Sequence, residues 1–503
     1  MKKPQKKLLQ SFVIAGEKSG VGKTMITLAL ARALMHRGYV VQCFKVGPDF
    51  IDPTYHTAVT GRLSRNLDPW MTSEAYCRTL FLNATYDADI AVVEGVMGLF
   101  DGYGKQGAGS TAMVARFLEL PVILIVDAES RAQTAAAVVL GCRHYDVRLR
   151  IRGVIFNKVA SENHYKTLRD AVTQKTDIAV LGYIPRGSHW HTPHRHLGLV
   201  MAAERDNLSA VVDRCAEQIE QTIALSRILK DRQPVPTTLK IKQPAAISPR
   251  QSSSRRKTPL SKPCIGVARD EAFCFCYQDN IELLERCGAD IIYFSPLRDP
   301  KLPAGIQGLY LPGGYPELYA AKLSENRTLK KQVLAFCRSG KPVYAECGGF
   351  LYLLQKLVDH KGRVHAMVGF FPAKAYLREQ LQRFGYITVT ATAGCPFLPE
   401  GQTMRGHEFH YSDISPMPAS ITRTFSVSRR SVVQPSAEGY TCGAVLAGYP
   451  HLHFGSNPAF AEHFVAACTK IMVEEQKRTE MKKIRSQESE NRNQEIKGKS
   501  TEC

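Results

Sequence analysis

A strand, a glycine loop and a helix in immediate succession constrain this chain's fold more than any other stretch. Residues 11–16 are a short apolar run ending in glycine and read as a buried strand. The loop Gly16-Glu17-Lys18-Ser19-Gly20-Val21-Gly22-Lys23-Thr24 follows, and Ile26, Leu30, Ala33 and Leu34 then recur at helical spacing until Gly38. Gly16 and Gly22 frame five residues, one more than the usual phosphate-loop spacing. Gly20 and Gly22 let successive backbone N–H groups turn toward phosphate oxygens. Lys23 brings a point charge to the outer phosphates, Thr24 is suited to ligate Mg²⁺, and the helix adds its positive end. Further apolar runs at 39–46, 90–93, 122–126 and 154–156 alternate with helix-like segments. This alternation predicts a mostly parallel sheet with helices on both faces, an ATP-binding α/β domain over residues 9–229.

At 503 residues the chain is too long for one ordinary core. A hydrophobic fraction of 44% and a charged fraction of 22% are those of a soluble globular protein. No stretch approaches the ~18 apolar residues of a membrane span. The basic start Met1-Lys2-Lys3-Pro4-Gln5-Lys6-Lys7 does not lead into a cleavable apolar segment, because Glu17, Lys18 and Lys23 interrupt it. A cytoplasmic protein without membrane contact is expected. The 14 cysteines are scattered; Cys142, Cys215, Cys337 and Cys468 sit in apolar stretches and read as small buried hydrophobes in a reducing compartment. Cys274-Phe275-Cys276 lacks the gap of a zinc knuckle.

A net charge of +20 invites a nucleic-acid reading, but its location argues otherwise. Residues 230–262 carry nine Lys/Arg against one Asp, 470–503 carry nine against seven, and the first ten residues add four lysines, leaving +6 for the rest. Segment 230–262, rich in Pro, Ser and basic residues, reads as a disordered linker, and no nucleic-acid partner is expected. A second alternating pattern starts at Cys264, continues through 291–294, 308–311 and 342–345, and ends near residue 470, so a second α/β domain is predicted over 263–470. Residues 471–503 are polar and charge-mixed, and a disordered tail or frayed helix is expected there.

The second domain carries its own signature. Pro342-Val343-Tyr344-Ala345-Glu346-Cys347-Gly348-Gly349 reads as a strand running into the sharp turn that exposes a nucleophile above a sheet. The Gly348 N–H is placed to help hold an oxyanion, and Leu311-Pro312-Gly313-Gly314-Tyr315 offers a second N–H through Gly314. A catalytic thiolate needs a base. His451, in Gly448-Tyr449-Pro450-His451-Leu452-His453, is the candidate, with His453 as rival. This pattern points to nitrogen taken from glutamine. Beside an ATP loop it predicts activation of a carboxylate followed by its amidation.

Carboxylates fall where such chemistry needs them. Glu94 ends the run 90–93 and is placed to hold Mg²⁺. Asp49 and Asp52, three apart in Gly47-Pro48-Asp49-Phe50-Ile51-Asp52-Pro53, and Asp101 in Gly98-Leu99-Phe100-Asp101-Gly102 lie on other strand-end loops. Each is also compatible with simple turn capping. Asn157-Lys158 follows another strand and is a weak candidate for base recognition.

Three resemblances sharpen these readings. Lys18, in Lys-Ser-Gly-Val-Gly-Lys-Thr, resembles the signature lysine of the deviant Walker A loop shared by dethiobiotin synthetase and MinD-type ATPases, which implies phosphate contact, in some members across a homodimer interface. The Cys347 region resembles class I (triad-type) glutamine amidotransferases. Those enzymes usually carry Glu two residues after the histidine, where this chain has His453. The chain as a whole, from about residue 11 to 470, resembles the cobyrinate a,c-diamide synthase family. Beside the loops already quoted, the resemblance rests on Glu94-Gly95-Val96-Met97-Gly98, Arg195-His196-Leu197-Gly198-Leu199 and Gly406-His407-Glu408-Phe409-His410-Tyr411-Ser412. It implies that Cys347 hydrolyses glutamine through a thioester and that the ammonia passes inside the protein. MgATP then phosphorylates the c and a acetates of cobyrinate, and Asp49, Asp52, Glu94 and Asp101 form the ATP–Mg²⁺–substrate centre. Close relatives implied by the same motifs act on hydrogenobyrinate or nickel sirohydrochlorin. More distant alternatives are cobyric acid synthase and a MinD-like regulatory ATPase with an inactive amidotransferase domain.

Overall fold

The computed structural model describes residues 8–104, 106–187, 190, 194–195, 198–199, 207–230, 233–234, 262–430 and 432–499. Most of the linker, part of the Arg195–Leu199 motif and the last four residues lie outside them. The chain divides into two compact units, the first N-terminal and the second C-terminal. No helix among the described residues is long and apolar enough to cross a membrane.

The first unit is built on seven strands: β1 Leu8–Gly16, β2 Val41–Val46, β3 Arg65–Leu67, β4 Ile90–Glu94, β5 Val122–Asp127, β6 Ile151–Val159 and β7 Ala179–Pro185. They pair in the order β3-β2-β4-β1-β5-β6-β7, every neighbour parallel. β2, β4 and β5 are buried along their whole length, as expected where helices cover both faces. One face packs on Met25, Ile26, Leu30, Val212, Cys215 and Ile219, and the other on Phe81, Val114, Phe117, Val139, Leu168 and Val172. β1 stands between β4 and β5, so its C-terminal end opens at the point where the chain changes its direction of winding. In parallel α/β sheets that crevice is the ligand site. Gln233–Pro234 pairs antiparallel with Leu8 and Leu9, so pairing to this sheet continues past residue 229, into the segment expected as linker. The outer end of β1 has free ladder positions there, and proline is tolerated at such an edge.

In the second unit the strands Asp290–Phe294, Cys264–Ala268, Gly308–Leu311, Val343–Glu346 and Val445–Gly448 form the parallel half of a ten-stranded sheet. An antiparallel half continues through Ser436–Cys442, Thr422–Arg429, Arg383–Ala391, Thr403–His410 and His451–Leu452. The chain leaves Val445–Gly448 beside Val343–Glu346 and, two residues on, pairs at the far end of the antiparallel half. That half therefore curls back over the end of Val343–Glu346. A helix running Ala459–Lys499 continues into the tail, where disorder or a frayed helix is expected. Residues 473–497 contain neither proline nor glycine and consist largely of Glu, Lys, Arg and Gln, all strong helix formers able to pair at i,i+4.

Candidate active sites

The loop after β1 wraps the place where phosphates are expected. Gly20 and Gly22 take left-handed conformations, with φ of 75° and 90°, and Gly22 caps the helix Lys23–His36. A side chain at Gly22 would strike the Asn157 amide, which donates to the Val21 carbonyl at 2.8 Å. Asn157 thus braces the loop; its oxygen accepts from the Lys158 N–H. Lys18 lies 3.6 Å from Asp127, and Lys158 reaches the same carboxylate at 3.0 Å.

Lys23 is buried and donates to the carbonyl of Met97 at 2.6 Å. Met97 holds φ of 47°, a strained value for a side-chain-bearing residue, and this turns its carbonyl to the lysine. Burial, then the charge of Lys45, lowers the Lys23 ammonium to about 8, while Glu94, Asp52 and Asp101 oppose the shift. Lys23, Lys45, Glu94, Asp52 and Asp101 are therefore within electrostatic reach of one another. Asp101 itself accepts from the Gly98 N–H at 3.0 Å and steadies that loop.

Glu94 is the centre of this cluster and is fully buried. Its Oε1 accepts from Thr24 Oγ1 at 2.7 Å and from Lys45 Nζ at 2.8 Å. Its Oε2 meets His56 Nε2 at 2.7 Å, and the other His56 nitrogen meets Ser64 Oγ at 3.0 Å. Burial alone would raise the Glu94 carboxyl, but Lys45 and His56 hold it well below the usual range. Lys45 also reaches Asp52 Oδ2 at 2.5 Å. Burial disfavours its charge, and Asp52 and Glu94 more than restore it.

Asp52 opens the helix Asp52–Thr60, and Asp49 caps that turn by accepting from the Ile51 N–H at 2.7 Å. Burial, Asp49 and Glu94 push the Asp52 carboxyl well above its ordinary value. Asp52 Oδ1 is buried and receives no donor. An orphaned carboxylate oxygen beside the threonine hydroxyl and Glu94 fits a hard divalent cation, which is bound through oxygen ligands. Among the described residues no group of three His, Cys, Asp or Glu side chains converges as a ready-made metal cage, so part of the coordination would fall to phosphate and water.

In the second unit Cys347 ends Val343–Glu346 and heads the helix Gly348–Leu353 at φ of 41°. Its own N–H donates to the Gly448 carbonyl at 2.7 Å. A Cβ on Gly348 would lie 2.9 Å from the Gly314 nitrogen, so the two oxyanion candidates sit together. Gly314 has φ of 156°, and a side chain there would come within 2.1 Å of the Ala272 carbonyl. A Cβ on the neighbouring Gly313 would come within 2.3 Å of His451 Cε1. The Gly313–Gly314 segment therefore touches the cysteine turn on one side and the histidine on the other.

His451 is buried, stacks on His407 with ring centroids 4.9 Å apart, and is paired in register with it. Burial, His407 and His410 hold its ring well below its ordinary value, so it rests neutral. Burial, Glu317 and Glu346 push the Cys347 thiol well up. His453 takes another part: its Nδ1 accepts from the Gly455 N–H at 3.1 Å and caps a short 3₁₀ turn.

These two units match known families in the same order. Residues 12–199 match the CobQ/CobB/MinD/ParA nucleotide binding domain, and residues 264–459 match the CobB/CobQ-like glutamine amidotransferase domain. The chain is 43% identical over 460 residues to the cobyrinate a,c-diamide synthase of Syntrophotalea carbinolica, covering 91% of this chain and 98% of the relative. It is 42% identical to that of Synechococcus sp., with coverage of 91% and 98%, and 40% identical to that of Salmonella typhimurium, with coverage of 92% and 99%.

The chain belongs to the cobyrinate a,c-diamide synthase family.

Within this family member, Lys45, His56, Ser64, Met97 and Glu346 bear on the sites without having been singled out from sequence. Glu346 precedes Cys347 and is buried. Its Oε1 accepts from the Leu452 N–H at 3.0 Å and from Tyr344 at 2.8 Å, and its Oε2 accepts from Tyr310 at 3.0 Å. It ties the cysteine strand to the residue after His451. Burial pushes its carboxyl up to about 7, against the lowering effect of these donors. An unfolded glutamate ionises near 4.5, so between pH 4.5 and 7 the native protein holds an extra proton and stability falls as pH rises. Glu346→Gln keeps an acceptor for Leu452 and Tyr344 and removes this titration. Unfolding free energies of wild type and variant, from denaturant titrations, are expected to diverge by about 3 kcal/mol across that window. Parallel profiles would refute the assignment.

Proposed function

We propose that the chain is a glutamine-dependent ligase that amidates the a and c acetate carboxylates of cobyrinate in cobalamin biosynthesis, with MgATP as the activating substrate. The observation that carries this reading is the pairing of two chemistries in a member of this family. One unit gathers Lys23, Thr24, Glu94 and Asp52 at a phosphate loop, and the other sets Cys347 and His451 against a single Gly-Gly segment.

A carboxylate is a poor acyl donor, and its phosphorylation creates a leaving group. Lys23 is suited to steady the transferred phosphoryl group and, with the N–H groups of the Gly20–Lys23 turn, to position it. Thr24, Glu94, Asp52 and, through its second oxygen, Asp49 would hold Mg²⁺, which when bound supplies charge neutralisation at the phosphoryl oxygens. Lys18, a loop residue paired with Asp127 in its own chain, is suited to add phosphate contact; a homodimer remains part of the proposal. In the other unit the thiol and the imidazole both rest neutral. Proton transfer to His451 accompanies attack of Cys347 on the glutamine amide, and the N–H groups of Gly314 and Gly348 receive the oxyanion. His451 then returns the proton to the leaving ammonia.

Mass spectrometry of cobyrinate incubated with the protein, glutamine and MgATP is expected to show two OH-to-NH₂ exchanges. No exchange, with nucleotide unconsumed, would overturn the proposal. Turnover only of hydrogenobyrinate or nickel sirohydrochlorin would reassign the substrate.

A further inference from the structure

The buried charges around Glu94 are arranged for more than holding one cation. His56, itself held by Ser64, fixes Glu94 Oε2, so only Oε1 faces the phosphate loop. That oxygen already takes two donors, Thr24 Oγ1 at 2.7 Å and Lys45 Nζ at 2.8 Å. Lys45 also bridges to Asp52 Oδ2 and donates to the Gly95 carbonyl at 3.2 Å. Asp52 is 4% exposed, and its other oxygen, Oδ1, is buried without a donor. An ammonium thus stands between the two carboxylates that best fit a divalent cation. Two cations cannot share such ground without strong repulsion.

We propose that Lys45 is a built-in counter-ion of the metal seat, occupying the ground between Glu94 and Asp52 in the nucleotide-free protein and competing there with the divalent cation that arrives with ATP. This rests on the reading of the loop as an ATP–Mg²⁺ site. The chemistry explains why a lysine is worth burying. Bare, the two carboxylates would repel each other and pay full desolvation; with one ammonium they fold as a compensated group. That ammonium offsets one of the two carboxylate charges, so an arriving divalent cation meets one net negative charge there instead of two. Free metal is therefore held weakly, and tight binding waits for the nucleotide to supply the remaining ligands.

The test is Mn²⁺ binding to the full chain without nucleotide, read from loss of the free-ion electron paramagnetic resonance signal. Lys45→Met is expected to bind Mn²⁺ about tenfold tighter than wild type or more, and Lys45→Arg, which keeps the charge, to bind as weakly as wild type. Thermal melting establishes that each variant is folded. A folded Lys45→Met with unchanged or weaker Mn²⁺ affinity overturns the proposal. Should that variant not fold, Lys45→Met is placed on Asp52→Asn, which removes one charge of each sign. The pair is expected to bind Mn²⁺ more tightly than Asp52→Asn alone, and equal or weaker binding overturns the proposal. The titration uses neither tetrapyrrole nor glutamine, so its failure is distinct from failure of the amidation reading.

Discussion

Cys347→Ser is expected to abolish glutamine-dependent amidation, by about 10³-fold or more, while free ammonia still supports synthesis. The argument starts from the resting state of the pair. The thiol is held well above its ordinary range and His451 well below, so neither is charged before glutamine arrives. A neutral imidazole can take a proton from a thiol as the thiol attacks, because sulfur is strongly nucleophilic and its charge is spread over a large atom. A serine hydroxyl is a far weaker acid, and the same histidine cannot activate it at useful rates. The substitution is nearly isosteric and leaves the Cys347 N–H bond to Gly448 in place, so the fold survives. Ammonia enters the synthesis after the step that needs sulfur. The readout is amidated product with each nitrogen source, and a folded variant that ammonia fails to rescue would refute the division of labour.

Lys23→Ala is expected to lose synthesis with either nitrogen source, by roughly 10²-fold or more. Lys23 is held on the Met97 carbonyl and, at 3.5 Å, on that of Lys18. Burial and Lys45 lower its ammonium to about 8, so without phosphate its charge is easily lost. An arriving phosphate restores the proton by attraction. Nucleotide affinity of the free protein is therefore expected to weaken as pH rises past 8, and Lys23→Ala to remove that dependence. Equilibrium binding of ATP across pH 7–9.5 measures it. Synthesis retained by the variant would take the loop out of the mechanism.

What could be read in advance was local. The phosphate loop announces itself because glycine, lysine and threonine must stand at fixed offsets between a strand and a helix. The cysteine turn does so because Gly348 and Gly349 must follow a nucleophile there. Glu94, Asp49, Asp52 and Asp101 were found as strand-end carboxylates, and the structure sets Glu94, Asp52 and Asp101 around Lys23. His56 and Ser64 were invisible because nothing beside His56, on a helix, marks a partner 38 residues away at the end of a strand. Lys45 lies within the run 39–46 read as a strand, yet its role depends on β2 lying against β4 with Lys45 opposite Glu94, which is a matter of register. The antiparallel half of the second sheet was missed for a similar reason: its strands alternate only loosely, and their order is set by distant pairing. His453 stands where an orienting glutamate is usual, and only the geometry shows it capping a turn.

The return of His451–Leu452 to the far end of the antiparallel half has a consequence for how this enzyme tolerates change. At Gly406 an added Cβ would come within 2.0 Å of the His451 carbonyl, so the histidine is seated by a neighbour nowhere near Cys347 in sequence. Cys347 follows a strand in the interior of the sheet, and His451 lies on its last strand. Drift in strands that touch no reactant can then open or close the gap between them, and glutamine hydrolysis inherits the mechanical condition of the whole sheet.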